Sequence, residues 1–265
     1  MKKIFFLLII LITSLSGCSV EVIEQEDQNT AETTFEKSKV EYSDWTQIDI
    51  GLNIKQFLAD TQNTITVLRI DKNQYQWALA QDIKNPRIVS QWQEKLRAEI
   101  VINGSYFDEN NNATGFLMIE KEKFGNLSLN GKNGYTGMLL IKDNQPELRY
   151  LPKENYKNEK VDFALQTFPT LIYNNKSLIT EDSGKTARRT VLAQAKDGKT
   201  YIIISESFIS LYKLAKWLEN SELDINIAIN LDGGPSTGLI VKDYYKSDSA
   251  LIPNVIYLEA VSSRQ

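Results

Sequence analysis

The apolar positions of the chain form one unbroken run near the start and many short alternating runs afterwards. The unbroken run is Ile4–Ile12, with Lys2 and Lys3 before it and Ser16, Gly17 and Cys18 after it. A helix that spans a bilayer takes about 20 such residues. A shorter run with a basic start and small residues behind it reads as a secretory signal. Beyond it, Thr64–Ile70 (TITVLRI) alternates and is rich in β-branched residues, which predicts a strand. Gln76–Ala80 is expected to pair with it across the Asp71–Gln74 turn. Pro86–Ala98 has Val89, Trp92 and Leu96 at helical spacing behind a leading proline.

Strand-like pieces then follow at short intervals: Glu99–Ile102, Phe116–Ile119, Gly137–Lys142, Glu147–Leu151, Asp162–Gln166 and Thr170–Tyr173. Residues 190–195 and 200–205 predict a hairpin around Lys196-Asp197-Gly198, because Asp-Gly favours a tight reversal. Phe208–Glu219 places Leu211, Leu214, Ala215 and Leu218 on one face and predicts the best helix. Asp224–Ile229, Thr237–Val241 and Asn254–Ala260 complete the strands. Strands outnumber helices and do not alternate with them. The expected class is α+β, with mixed, strand-rich sheets and a few packed helices in a single domain.

Leu15-Ser16-Gly17-Cys18 has the form of a bacterial lipoprotein box. Residues 1–17 are then a lipoprotein signal peptide and Cys18 a lipidated N-terminus. The expected location is an exported lipoprotein, on the outer side of the cytoplasmic membrane or in the outer membrane. Its only membrane contact would be through that lipid. Between 21 and 45 there are eight acidic and two basic residues, so 18–45 reads as a disordered acidic tether. Removing these and the two signal lysines from the totals of 34 acidic and 30 basic residues leaves 26 of each in 46–265. A formally neutral domain argues against a nucleic-acid partner. The chain has no histidine and no cysteine besides Cys18. That excludes Ser-His-Asp chemistry, histidine metal sites and disulfides.

Chemistry therefore falls to carboxylates, amides, hydroxyls and guanidinium groups, which gather in four stretches. In Asn230-Leu231-Asp232-Gly233-Gly234-Pro235-Ser236-Thr237, a strand ends beside Asp232, and the turn after it has the makings of an anion nest. Ser236 and Thr237 add hydroxyls. An Asx-turn between two strands fits the spacing equally well. Asn103-Gly104-Ser105-Tyr106-Phe107-Asp108 again puts an amide and a carboxylate at a strand end. Its aromatic pair reads as packing. Arg188 and Arg189 open a strand and offer forks for phosphate or carboxylate, or a solvated charge pair. Gln166-Thr167-Phe168-Pro169 is a strand broken by proline. Together the set suits a sugar phosphate. Asp232, Asn103 and Asp108 are also hard oxygen donors that suit Ca²⁺ or Mg²⁺, although no spacing matches a known metal loop.

In this order the motifs resemble the phosphodiester glycosidase family, from about Ile100 to Leu239. The resemblance implies hydrolysis of a sugar 1-phosphodiester in carbohydrate of the cell envelope or outside the cell, with no required cofactor. It implies a site containing Asn103, Gly104, Arg189, Asp232, Gly233, Gly234 and Ser236, with Gln166 and Pro169 nearby. Asp232 would be the base or cation-stabilising carboxylate, with Glu206 or Asp108 as a second one. Arg188, Arg189 and the 233–236 backbone would face phosphate. The chain departs from the family pattern at Ser105, Thr167, Phe168 and Pro235, and Phe208 stands where an arginine is usual. A non-catalytic surface lipoprotein that binds glycan or wall polymer is the alternative.

Overall fold

The computed structural model describes residues 42–61, 63–247 and 250–261, all within the compact unit Lys37–Gln265. The signal, Cys18 and the tether up to residue 41 lie outside the described residues. The last residues assigned to the tether belong to the fold. Tyr42 is 8% exposed in the core. Its carbonyl accepts from the Gln56 N–H at 2.7 Å, and its own N–H donates to Gln56 Oε1 at 3.3 Å. Trp45 packs edge-on against Phe57 with the Arg69 guanidinium over its ring. Packing thus begins by Tyr42 rather than at Thr46.

Three larger sheets organise the chain, and every pairing in them is antiparallel, so they are not mixed in direction. The main sheet has eight strands in the order Thr46–Asp49, Leu52–Leu58, Thr64–Ile70, Thr200–Ser205, Thr190–Ala195, Ile225–Asn230, Thr170–Tyr173 and Lys176–Ser177. The second sheet runs Tyr244–Ser247, Gly238–Val241, Ile100–Asn103, Asn254–Ala260 and Tyr75–Gln81. The third runs Glu122–Phe124, Leu117–Ile119, Phe163–Thr167, Gly137–Lys142 and Gln145–Tyr150. Tyr75–Gln81 therefore pairs with Asn254–Ala260 and not with Thr64–Ile70, as expected from the turn between them. Both edges of Thr64–Ile70 are already taken, by Leu52–Leu58 and Thr200–Ser205.

The main sheet is buried on both faces, which is why its central strands are nearly continuous apolar runs. On one face Ile54, Leu68, Leu192, Ile202 and Ile229 meet Trp77, Ile102 and Ile256 of the second sheet and Leu117, Leu139 and Leu165 of the third. On the other, Val67, Val191 and Ile203 meet Leu214, Ala215 and Leu218 of the helix Leu211–Asn220. That helix begins three residues later than its apolar pattern predicts. Ile209–Ser210 pairs with Thr186–Ala187, and Ser210 caps the helix by accepting from the Lys213 N–H. The helix Val89–Leu96 lays Val89 and Trp92 against Val101, Ile240 and Val255 on the outer face of the second sheet.

Candidate active site

The opening strand of the key motif, Ile225–Asn230, belongs to the main sheet, whereas Gly238–Val241 belongs to the second. Residues 231–237 are thus the crossover between two sheets. Asn103, at the end of its own strand in the second sheet, ties this crossover down. It is 1% exposed. Its Nδ2 donates to the Asp232 carbonyl at 2.7 Å, and its Oδ1 accepts from Thr190 Oγ1 at 2.7 Å and the Gly238 N–H at 3.1 Å. Gly104 lies so close to Asn254 that an added Cβ would stand 2.1 Å from Asn254 Oδ1. Its carbonyl accepts from the Asp232 N–H at 3.3 Å. Ser105, a glycine in the related pattern, is buried and donates through its N–H to the same Asn254 Oδ1 at 2.7 Å.

The Asp232 carboxylate accepts from the Gly233 N–H at 2.8 Å and from the Ser236 hydroxyl. Among the described residues no cation pairs with it. Burial raises its pKa above the ordinary carboxylate value, and the two hydrogen bonds only partly oppose this. The Tyr106 hydroxyl donates to the Phe168 carbonyl at 3.1 Å and accepts from Asn230 Nδ2 at 2.6 Å. Burial and the Asp232 charge raise the Tyr106 pKa, while the Arg189 charge lowers it. A phenol thus stands within electrostatic reach of both groups. The Arg189 Nε donates to the Ile209 carbonyl and Nη2 to the Lys185 carbonyl, each at 3.2 Å. Burial lowers its pKa. No described carboxylate pairs with it, so the guanidinium keeps uncommitted N–H groups. Asn230 is 1% exposed and its Oδ1 has no partner. An aromatic wall borders these groups: Tyr106 stacks on Phe168 at 4.3 Å, and Phe168 meets Tyr135 edge-on at 5.0 Å.

The glycine turn is occupied within the chain rather than open to an anion. The Gly234 N–H donates to the Arg188 carbonyl, Ser236 to Gly233, Thr237 to Gly234 and Gly238 to Asn103, while Pro235 has none. With Asp232 and Gly233 already accounted for, no backbone N–H from 232 to 238 is left for a nest. The glycines serve the crossing of two chain segments: an added Cβ at Gly233 would stand 2.7 Å from the Arg188 carbonyl, and Gly234 holds φ +61°. The Arg188 guanidinium lies over the Phe208 ring at 5.1 Å, and Phe208 is 58% exposed.

The remaining expected residues are committed elsewhere. Gln166 is fully buried. Its Oε1 accepts from the Ser128 N–H at 3.0 Å, and its Nε2 donates to the Ser128 carbonyl at 2.6 Å, pinning the loop before Tyr135. Glu206 accepts from Thr66 Oγ1 at 2.5 Å and from the Tyr244 hydroxyl, and lies 3.4 Å from Lys246 Nζ. Asp108 is exposed and accepts from the Asn110 and Asn112 N–H groups, which hold its carboxyl below the usual range. Of the three oxygen donors Asp232, Asn103 and Asp108, Asn103 Oδ1 already serves two donors and Asp108 closes its own loop. Among the described residues no three acidic, histidine or cysteine side chains cluster as metal ligands. The sequence reading missed Tyr106, assigned to packing, and Asn230 and Phe168. The one available signal was Asn230 itself, a polar residue closing an apolar strand.

The sequence profile of the phosphodiester glycosidase family matches residues 96–259, the stretch that carries Asn103, Tyr106, Arg189 and Asp232. Among solved structures, the fold is similar to the catalytic domain of zebrafish N-acetylglucosamine-1-phosphodiester alpha-N-acetylglucosaminidase, auto-inhibited by its pro-peptide. The TM-score is 0.60 at 15% identity, covering 78% of this chain and 82% of that one. A hypothetical protein from Synechocystis is similar at TM-score 0.57 and 12% identity, over 81% of this chain and 63% of that one. No curated protein matches the sequence. At these identities the likeness to the solved structures is one of fold. The profile match spans more than half of the sequence, and on it the chain belongs to the phosphodiester glycosidase family.

Proposed function

We propose that the chain hydrolyses a sugar 1-phosphodiester in extracellular or cell-envelope glycan. Asp232 carries the reading: a half-buried carboxylate with no cationic partner among the described residues, fixed on a sheet crossover, with the Tyr106 phenol within electrostatic reach of both it and Arg189. Such a group is expensive to bury and is typical of functional sites. In the reaction, a water oxygen bonds to C1 and the C1–O bond breaks, its electron pair leaving with the phosphate. The water proton passes to Asp232. A free sugar and a phosphomonoester result. Arg189 faces the departing phosphate with its uncommitted N–H groups, a form of charge stabilisation that is usually the largest catalytic contribution. Phosphate leaves readily as an anion, so the paired carboxylates of ordinary glycoside hydrolysis are less necessary. That fits the commitment of Glu206 and Asp108 to other partners. The reading includes export and anchoring through a lipidated Cys18, and no required metal.

Two observations favour the second reading, a glycan-binding surface lipoprotein without catalysis. The turn after Asp232 offers no N–H to a phosphate, and Phe208 stands in place of the family's arginine. The deciding experiment incubates the full chain in detergent with methyl N-acetylglucosamine-1-phosphodiester, with and without EDTA, beside Asp232→Asn. Release of free sugar by the unmodified chain alone supports hydrolysis, and loss of release in EDTA would make it metal-dependent. Binding of the compound by folded protein without release would establish the second reading.

A further inference from the structure

We propose that this chain has a second carbohydrate site, a cleft for a neutral oligosaccharide at the end of the main sheet remote from Asp232. The cleft lies between that sheet and the strand Gln145–Tyr150 of the third sheet and encloses about 570 Å³. That volume falls in the ordinary range for small-molecule sites, roughly 300–1,000 Å³. A neighbouring cavity of about 470 Å³ shares Lys72, Asn73 and Gly198 with it, which extends the cleft beyond one sugar ring. Thr190 touches Asn103 beneath Asp232, whereas Ala195 at the other end of the same strand lines the cleft. At about 3.3 Å per residue the two sites are some 17 Å apart. The inference does not depend on any chemistry at Asp232.

The lining is polar and mostly uncharged where it is free to bind. The side chains of Asn73, Asn174 and Asn226 make no hydrogen bond within the described residues. Gln145 donates through Nε2 to the Lys72 carbonyl at 2.7 Å, while its buried Oε1 has no partner. The acidic groups of the lining are already used. Glu147 pairs with Arg149 at 2.5 Å, and Glu154 accepts from the Tyr173 hydroxyl at 2.9 Å. Tyr173, set against Tyr150 at 4.9 Å, supplies an aromatic surface. Primary amides present donors and an acceptor together and so match adjacent sugar hydroxyls, each of which does both. An aromatic ring suits the C–H face of a sugar. An anion would need a fork or several cations; among the described residues lining the larger cavity only Lys72 is a cation without a carboxylate partner, and in the neighbouring cavity the Arg69 guanidinium is laid over the Trp45 ring.

The test is NMR titration of the ¹⁵N-labelled full chain in detergent, following the side-chain amide signals of Asn73, Asn174 and Asn226. The probes are chitotetraose, cellotetraose, maltotetraose and mannotetraose, each to about 10 mM, tenfold above the Kd of about 1 mM typical of a shallow site. At least one probe is expected to shift these signals. Asn226→Ala and Tyr173→Ala should each weaken that binding about fivefold or more, the loss expected for one good contact, while sugar-phosphodiester cleavage stays unchanged. The exposed Asn73→Ala serves if either variant fails to fold. The proposal is overturned if no probe shifts the signals, if shifts arise only around Asp232, or if the variants bind as tightly as the parent.

Discussion

Burial makes the folded chain hold the Asp232 proton more tightly than the unfolded chain does. The stabilising contribution of this residue is fully present below the unfolded carboxylate pKa and is lost as pH rises through the higher folded value. At neutral pH Asp232 therefore works against stability. Asp232→Asn is expected to raise Tm, read by calorimetry, while lowering kcat/KM by about 10²- to 10⁴-fold; a lower Tm would contradict the account. Ser236 donates a hydrogen bond that keeps the Asp232 pKa from rising further. If Asp232 must be ionised to act, activity falls as pH drops through its folded pKa, and Ser236→Ala should move that acid limb of the pH–rate profile upward. Tyr106→Phe keeps the ring on Phe168 but removes the hydroxyl between Asn230 and the Phe168 carbonyl. It should reduce kcat about tenfold or more with a stability change of only about 1 kcal/mol, which separates a role in the reaction from one in packing.

Among the elements, the crossover 231–237 is tied to two sheets through one amide of a neighbouring strand, Asn103, besides its backbone bonds to Gly104 and Arg188. Asn103→Ala leaves Thr190 Oγ1, the Gly238 N–H and the Asp232 carbonyl without their buried partner. A loss of roughly 2–5 kcal/mol is expected from such stranded groups, measurable as a lower denaturation midpoint; a shift within error would place the hold on Asp232 elsewhere. The strands were legible in the sequence where period and turn agree: Thr64–Ile70, the 190–205 hairpin and Asn254–Ala260 fall where their patterns put them. Partners were not legible. The Tyr75–Gln81 strand follows a turn that suits a hairpin, yet it joins another sheet because its neighbour's edges are filled from distant parts of the chain. The site divides the same way. Asp232 and Arg189 were visible as residue types in motifs. The occupation of the Gly234 and Gly238 N–H groups was not, because their acceptors, the Arg188 carbonyl and Asn103 Oδ1, come from distant parts of the chain.

At the scale of the whole molecule, the folded part takes in the last few residues of the acidic segment. Tyr42 buries its ring in the main core and bonds twice to Gln56. A chain beginning at Ser43 should be less stable than one beginning at Val40, by about 2–3 kcal/mol for a buried aromatic side chain, as read from urea midpoints; equal midpoints would return Tyr42 to the tether. The third sheet poses a different problem, since Gln145–Tyr150 lies at its edge. The Leu148 N–H and the Pro146 carbonyl point away from that sheet, and the Gln194 amide takes both, at 3.2 and 2.9 Å. One glutamine thereby mimics the next strand. This denies passing chains a template for strand addition at that edge, so a side chain remote from Asp232 helps keep copies of the chain from joining edge to edge.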